Sequence, residues 1–409
     1  MKKRATDTAR RSQCLHEIRP VSPCSPSAAG YAWRSRNPLV TMTRKRKLIG
    51  ISLLTLLVLL AAAGIWLWHA FVWVFFVKPG DGGKQWSLPI TVVAGGANGE
   101  SGFRDGIGPD ARMAKPIRLA VLDADTLVFA DINNHAIRTI RRDGTVTTLA
   151  GGPDRVGHQD GPAPVAKFRS PHGVAVRSDG VIAVAEVSNH TIRLLTPDAS
   201  VPGGYVVGTL AGKPRDSGMA DGAAADARFS SPHAIAWGPD GELYVADIGN
   251  ARLRCIRHGR VTTLAGTGNR GADDGPAGTL SWPMDLATDD KGGLWIADCG
   301  TLMLRRWHPD TGLTTPFPGQ RLAMPHGVAV DGDRVFVAEM NGQRILMFDP
   351  TTGTVSTLCG TTEKGSAPGR LNRPAAVLAQ RDLLWIADLG NHRIVTVPLP
   401  ASTPPRPSR

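Results

Sequence analysis

From Ile90 onward, short apolar runs alternate with clusters of Gly, Pro, Asp and Asn, and one pattern of apolar and polar positions returns six times. Each unit contains an apolar run that ends in Ala and then an acid: Ala130-Asp131, Ala185-Glu186, Ala246-Asp247, Ala297-Asp298, Ala338-Glu339 and Ala387-Asp388. Six residues after the acid stands an aliphatic residue: Ile137, Ile192, Leu253, Leu304, Ile345 or Ile394. Upstream, an aliphatic residue, Phe or Met sits three positions before a Pro, as in Phe168/Pro171 and Leu322/Pro325, and a short apolar run such as Gly173-Val174-Ala175-Val176 follows that Pro. Short continuous or alternating apolar runs bounded by turn formers predict strands. Each unit therefore predicts four: strand a after the Pro, strand b ending in Ala-acid, strand c with an aliphatic-Arg pair (Ile137-Arg138, Ile192-Arg193), and strand d reading Val-Thr-Thr-Leu-Ala-Gly (146–151, 261–266). Repeated four-stranded units of this length suit propeller blades. A single twisted sheet cannot bury both its faces, so neighbouring units must stack and the ring must close.

The two ends of the repeat suggest how it closes. The last unit has Ala375–Leu378, Leu383–Ala387 and His392–Val397 but no strand d, while Ile90–Gly95, ahead of the first unit, matches strand d. The N-terminal strand is expected to complete the last blade and cover an otherwise exposed edge. The motifs P-x-G-[VI]-A-V, [LV]-x-V-A-D-x-x-N-x-x-[IL]-R and V-x-T-[LV]-A-G resemble those of the NHL-repeat family over about residues 88–399. The resemblance implies an all-β, six-bladed NHL β-propeller closed by an N-terminal strand. It implies little about function, because such propellers serve as enzymes, sensors and interaction platforms.

Charge changes the picture outside the ring. Of 47 Lys and Arg and 35 Asp and Glu, residues 1–47 hold twelve bases and two acids, so +10 of the net +12 lies there and residues 48–409 carry about +2. A near-neutral domain has no electrostatic footprint for nucleic acid. Leu48–Val77 is a run of thirty residues without a formal charge, long enough at 1.5 Å per residue to reach about 45 Å across a hydrocarbon core of about 30 Å. Arg44-Lys45-Arg46-Lys47 precedes it, and Trp66, Trp68 and Trp73 lie in its second half. The expectation is one transmembrane signal-anchor helix (48–77) in a bacterial inner membrane, with the N-terminus cytoplasmic and the propeller periplasmic. A cleaved signal peptide ending near Ala61-Ala62-Ala63 is the alternative. Around the span are a basic cytoplasmic tail (1–47) expected to be disordered, a linker (78–89), the propeller (90–399) and a Pro-rich tail (400–409). Met42 followed by Thr43 and four bases reads as an ordinary start to an anchor, so residues 1–41 read as a misassigned extension.

The five cysteines, Cys14, Cys24, Cys255, Cys299 and Cys359, show neither metal-type spacing nor a disulfide framework and read as small hydrophobes inside the domain. The six repeated acids read as turn builders, helped by Asn133, Asn189, Asn250 and Asn391, and Arg138, Arg193, Arg254 and Arg305 as their neighbouring partners. Asp105-Gly106, Asp160-Gly161, Asp221-Gly222 and Asp274-Gly275 read as turns, since calcium needs several oxygens at closer spacing.

Chemistry is sought where the blades differ. The residue after the repeated Pro is Ile117, His172, His233, Met284, His326 and Ala375, and the next is Arg118, Gly173, Ala234, Asp285, Gly327 and Ala376. Strand a lines the channel of a propeller, and its start lies on the face that bears the d–a and b–c loops. His172, His233 and His326 are therefore expected to ring one channel mouth with Arg118 and Asp285 beside them. Three imidazoles can hold zinc and leave a fourth position for water or substrate. This arrangement is similar to the peptidyl-hydroxyglycine lyase propellers, which implies His172, His233 and His326 as zinc ligands and Arg118 near a substrate carboxylate. Hydrogen bonds to loop backbone satisfy the same imidazoles without a ligand, and that reading is the one taken. The function expected is a non-enzymatic, membrane-anchored, extracytoplasmic module whose loop-bearing face binds a protein, peptide or glycan. The alternative is a zinc hydrolase or lyase at the channel mouth.

Overall fold

A computed structural model of the chain describes residues 88–399 apart from residue 97. The expected tails, membrane span and start at Met42, with most of the expected linker, lie outside the described residues. Among those described, no helix is long and apolar enough to cross a membrane. Six antiparallel sheets make up the fold, one per sequence unit, and together they form a six-bladed propeller.

The repeated Pro opens every inner strand: Pro116–Val121, Pro171–Val176, Pro232–Trp237, Pro283–Thr288, Pro325–Asp331 and Pro374–Gln380. Proline has no N–H to give to a ladder, so it suits the first residue of an edge strand. Every second strand ends on the repeated acid, at Asp131, Glu186, Asp247, Asp298, Glu339 and Asp388. In the last sheet Thr91–Ala94 pairs antiparallel with Arg393–Pro398, with Thr91 opposite Thr396 and Val92 opposite Val395. Buried hydrophobic residues gather in six clusters, one at each junction between neighbouring blades. The Ala before each acid is fully buried, which lets adjacent sheets approach closely. Cys255, Cys299 and Cys359 are buried free thiols, as expected, and burial pushes the three up to about 11, 11 and 12.

The repeated acid and the strand-c Arg form one buried unit that also captures the Asp-Gly loops. Arg138 donates from Nη1 to Asp131 at 2.9 Å and from Nη2 to Asp105 at 2.8 Å, and it also reaches the carbonyls of Arg112 and Arg104. Arg193 bridges Glu186 and Asp160 in the same way, and Arg254 bridges Asp247 and Asp221. Arg305 holds Asp274. All four Arg side chains are fully buried. The loop Asp then accepts the backbone N–H of Thr148, Thr209, Thr263 or Thr315 in strand d. Pinned in this way, Gly106–Ile107, Gly161–Pro162 and Gly222–Ala223 add a fifth, outermost strand to the first three sheets. The asparagine that bonds the acid of the first blade is Asn134 rather than the expected Asn133, and it occupies the place of Asn189, Asn250 and Asn391.

A second repeated contact staples blade to blade. Just after that asparagine, in a left-handed conformation, His135, His190 and His392 each accept through Nδ1 a backbone N–H ahead of the next blade's Pro, from Ser170, Ser231 and Lys115. Gln343 does the same for Arg373 through its side-chain oxygen. Ala251 and Leu302 hold the equivalent positions of the third and fourth blades and have no acceptor to offer. Replacing His190 with Ala is expected to cost about 1–3 kcal/mol, the cost of leaving a partly buried donor unpaired, whereas His190→Gln, which copies Gln343, costs much less. Chemical denaturation of the two variants checks this order.

Candidate functional site

The local structure at the channel comes from a β-bulge in every inner strand. In five blades the register slips at the residue after the Pro: His172, His233, Met284, His326 and Ala375. A bulged residue faces two-to-one pairing and turns its side chain away from the ladder's alternation. In the first blade the slip falls one residue later, at Arg118, whose φ of 46° is left-handed. Both the pattern and its exception thus set what projects into the channel.

The structure brings all five expected residues together. The rings of His172 and His233 lie 4.2 Å apart between centroids, and those of His233 and His326 lie 5.3 Å apart edge to face. Arg118 of the first blade forms an ion pair with Asp285 of the fourth, opposite it across the ring. Asp285 is fully buried and its Oδ2 also accepts the backbone N–H of Val328 at 2.9 Å, while its Oδ1 has no partner. His233 and His326 bond through Nδ1 to the carbonyls of Met284 and Ala375, both at 2.8 Å, so Nδ1–H donates and the Nε2 lone pair stays free. His172 is partly exposed as a side chain, yet its Nδ1 is sealed without a partner. Burial, with added repulsion from neighbouring cations, drives all three imidazoles down: His172 to about 3, His326 to about 4 and His233 well below the usual 6.5. They are neutral at physiological pH. Burial also lowers the Arg118 guanidinium to about 9.

His172, His233 and His326, the zinc set that the resemblance to the lyase propellers implies, stand together at the channel mouth. Among the described residues, no group of three or more His, Cys, Asp or Glu side chains is arranged to hold a metal ion. Two imidazoles on one tetrahedral zinc, with Zn–N near 2.1 Å, set their centroids about 5 Å apart. The His233–His326 separation of 5.3 Å matches that spacing, whereas His172 and His233, at 4.2 Å, are closer.

The open space lies at the other end of the channel. A cavity of about 300 Å³ is lined by the later residues of the inner strands, among them Val174, Ile235, Trp237, Leu286 and Leu378, and by Arg118. Trp237 is fixed there by its Nε1–H bond to the Ala175 carbonyl and by Arg177 over its ring at 4.9 Å. Sequence reasoning looked to the start of the inner strands and missed this end. The available signal was Trp237, which ends its strand where the other blades carry small or aliphatic residues.

Comparison with known proteins agrees with this architecture. Residues 168–193 match the NHL repeat model. NHL repeat-containing protein 2 of Bos taurus is 26% identical over 339 residues, covering 68% of this chain and 46% of that protein, so the chain spans about half the length of the curated relatives it matches. A structural-genomics protein of unknown function from Bacteroides thetaiotaomicron VPI-5482 superposes with a TM-score of 0.56 at 18% identity, covering 76% of both chains. A gluconolactonase from Xanthomonas campestris superposes with a TM-score of 0.51 at 15% identity, covering 79% of this chain and 99% of that one. At these identities the structural likeness speaks for the fold alone.

Two outcomes test the site. Arg118→Met strands a buried carboxylate and is expected to cost about 3–5 kcal/mol, while the Arg118→Met/Asp285→Leu double variant regains much of that loss. Thermal unfolding of the single and double variants measures it. The second outcome concerns pH. Unfolded imidazoles take up protons near 6.5, whereas the buried channel ones hold out to about 3 or 4, and burial also lowers His135, His190 and His392. The unfolded chain therefore binds more protons below about 6.5, and stability falls as pH drops. Asp247, raised to about 6 by burial, opposes the trend below that pH. The fall is expected to show cleanly in melting temperature between pH 7.5 and 6, and to shrink when His135, His190 and His392 are all changed to Gln.

Proposed function

We propose that this chain, a six-bladed propeller carrying an NHL repeat, is a binding module held outside the cytoplasm by a membrane anchor, and that it engages a protein or other ligand rather than turning over a substrate. The observation that carries the reading is the Arg118–Asp285 pair. It ties opposite blades together and neutralises the only two formal charges that the inner strands bring to the histidine end of the channel. The histidines beside it are neutral, and two of them are bound to backbone carbonyls. Groups spent on one another in this way brace a ring. Recognition then falls to the loops and to the cavity at the other end of the channel, whose concave lining mixes aliphatic side chains and Trp237 with polar surface and suits a small ligand or an inserted side chain.

The tether rests on the sequence of residues 44–77. We read the pairing of Thr91–Ala94 with the last strand as the closure of the ring, fourteen residues after that tether in the sequence. Protease added outside intact spheroplasts is expected to cut the propeller's loops, and full protection of the propeller would place it in the cytoplasm. For the activity, full-length protein purified without chelators is compared with its His172→Ala/His233→Ala variant. Cross-linking to the same partner by both supports a binding module. Stoichiometric zinc, or ester or lactone hydrolysis, that is lost in the variant replaces that reading with a metal-dependent hydrolase or lyase.

A further inference from the structure

The fourth blade breaks the repeat on the loop-bearing face. In the other five blades the residue before the inner Pro is left-handed, with φ of 63°, 48°, 53°, 61° and 53° at Lys115, Ser170, Ser231, Met324 and Arg373. The fourth blade has Trp282 there instead, and it is outside the left-handed set. At the staple position, where His135, His190, Gln343 and His392 reach the next blade, it has Leu302. Both side chains face solvent, Trp282 at 44% and Leu302 at 38% exposure, beside the channel mouth.

Trp282 is exposed, and its backbone is held at both its N–H and its carbonyl. Its N–H donates to Asp298 Oδ1 at 2.7 Å, and its carbonyl accepts the N–H of Cys299 at 2.9 Å. The turn that carries Leu302 presses against this backbone: a Cβ on Gly300 would come within 2.2 Å of Ser281 Oγ and 3.0 Å of the Trp282 nitrogen, so only glycine fits. Exposed cations flank the pair. Arg270 lies over the Trp282 ring at 5.5 Å and bonds the Ser281 carbonyl, and Arg321 donates to the Thr301 carbonyl at 3.1 Å. The acids of the same loops are already engaged. Asp298 binds the N–H groups of Ser281 and Trp282, Asp274 binds Arg305, and Asp273 binds Thr279.

We infer that Trp282 and Leu302, framed by Arg270 and Arg321, form the docking surface for an acidic peptide segment with an apolar anchor. The inference deepens the binding-module reading and rests on it. A preordered Trp costs little entropy to engage, and Trp and Arg dominate the energetics of protein interfaces. The two arginines select carboxylates flanking the anchor, because one lies over the Trp282 ring and the other bonds the carbonyl of Thr301 next to Leu302. An exposed Trp with nearby Arg also suits a stacked nucleic-acid base. The near-neutral propeller lacks the basic track that a polynucleotide backbone requires, so the peptide is favoured.

The test is selection from a random-peptide display library on purified full-length protein, followed by anisotropy of the selected peptides and of an oligouridine RNA. Peptides with an apolar residue flanked by Asp or Glu are expected to be enriched. Trp282→Ala should weaken them at least tenfold, Arg270→Gln/Arg321→Gln should weaken them and flatten their salt dependence, and Ile107→Ser, on the exposed outer strand of the first blade, should leave them unchanged. Unchanged melting temperatures separate these effects from misfolding. Absence of enrichment, selection that ignores Trp282→Ala, or oligouridine binding through Trp282 each overturns the docking surface. If the cross-linked partner persists in Trp282→Ala, the binding module stands and only its location fails; zinc-dependent turnover sinks the module itself.

Discussion

The propeller depends on a guanidinium held between two carboxylates that lie 26 residues apart in the chain. Arg138, Arg193 and Arg254 each tie the acid ending strand b to the Asp of an Asp-Gly loop, and Arg305 holds the same loop in the fourth blade. A buried arginine is costly unless every donor is used, and replacing such pairs with apolar groups can be neutral for stability. What the arrangement supplies is position. With its Asp pinned to Arg and to strand d, the loop cannot drift from the blade edge, and its next two residues pair there as an added strand. Each outer edge so covered is one fewer template for unwanted strand pairing.

The last two blades confirm the dependence by lacking it. At the Arg position they have Leu346 and Val395, they carry no Asp-Gly ahead of the inner strand, and their sheets have no fifth strand. Arg344 and Arg393, two residues earlier, take over pairing with Glu339 and Asp388. These shorter-reaching pairs hold the strand-b acid, while the loop ahead of the blade goes without a carboxylate latch. Arginine and loop aspartate occur together in the first four blades and are absent together from the last two, while the outer strand is complete in the first three and shrinks in the fourth to a bridge between Gly275 and Leu313.

The ring was legible in the sequence because its rules are local. A Pro at a strand start, an Ala-acid at a strand end and an apolar run between them are read within ten residues, and the structure places those boundaries where the repeat puts them. The Asp-Gly pairs read as turns and the strand-c arginines as partners of nearby acids. That the two are one network was hidden, because the contact spans more than thirty residues of chain. The meeting of His172, His233, His326, Arg118 and Asp285 was legible from their common place after the Pro. Their chemistry was not, since it turns on bulges that rotate side chains. The rings of His172 and His233 pack against each other, and Arg118 sits one residue out of step with every other blade.

That single-residue offset explains how the channel is braced. An inner strand that bulges at its second residue offers a side chain near the rim, as His233 and His326 do. Bulging at the third sets the side chain one residue deeper, and arginine is long enough from there to meet Asp285 on the opposite blade. The left-handed φ of Arg118 is a strain that only a compensating contact sustains, and the ion pair is that contact. A ring held across its centre can give up staples at its rim. The third and fourth blades do so at Ala251 and Leu302. Where the Leu302 side chain offers no staple, an aliphatic side chain and a tryptophan face the solvent together, so local rules of the repeat fail at the proposed docking surface.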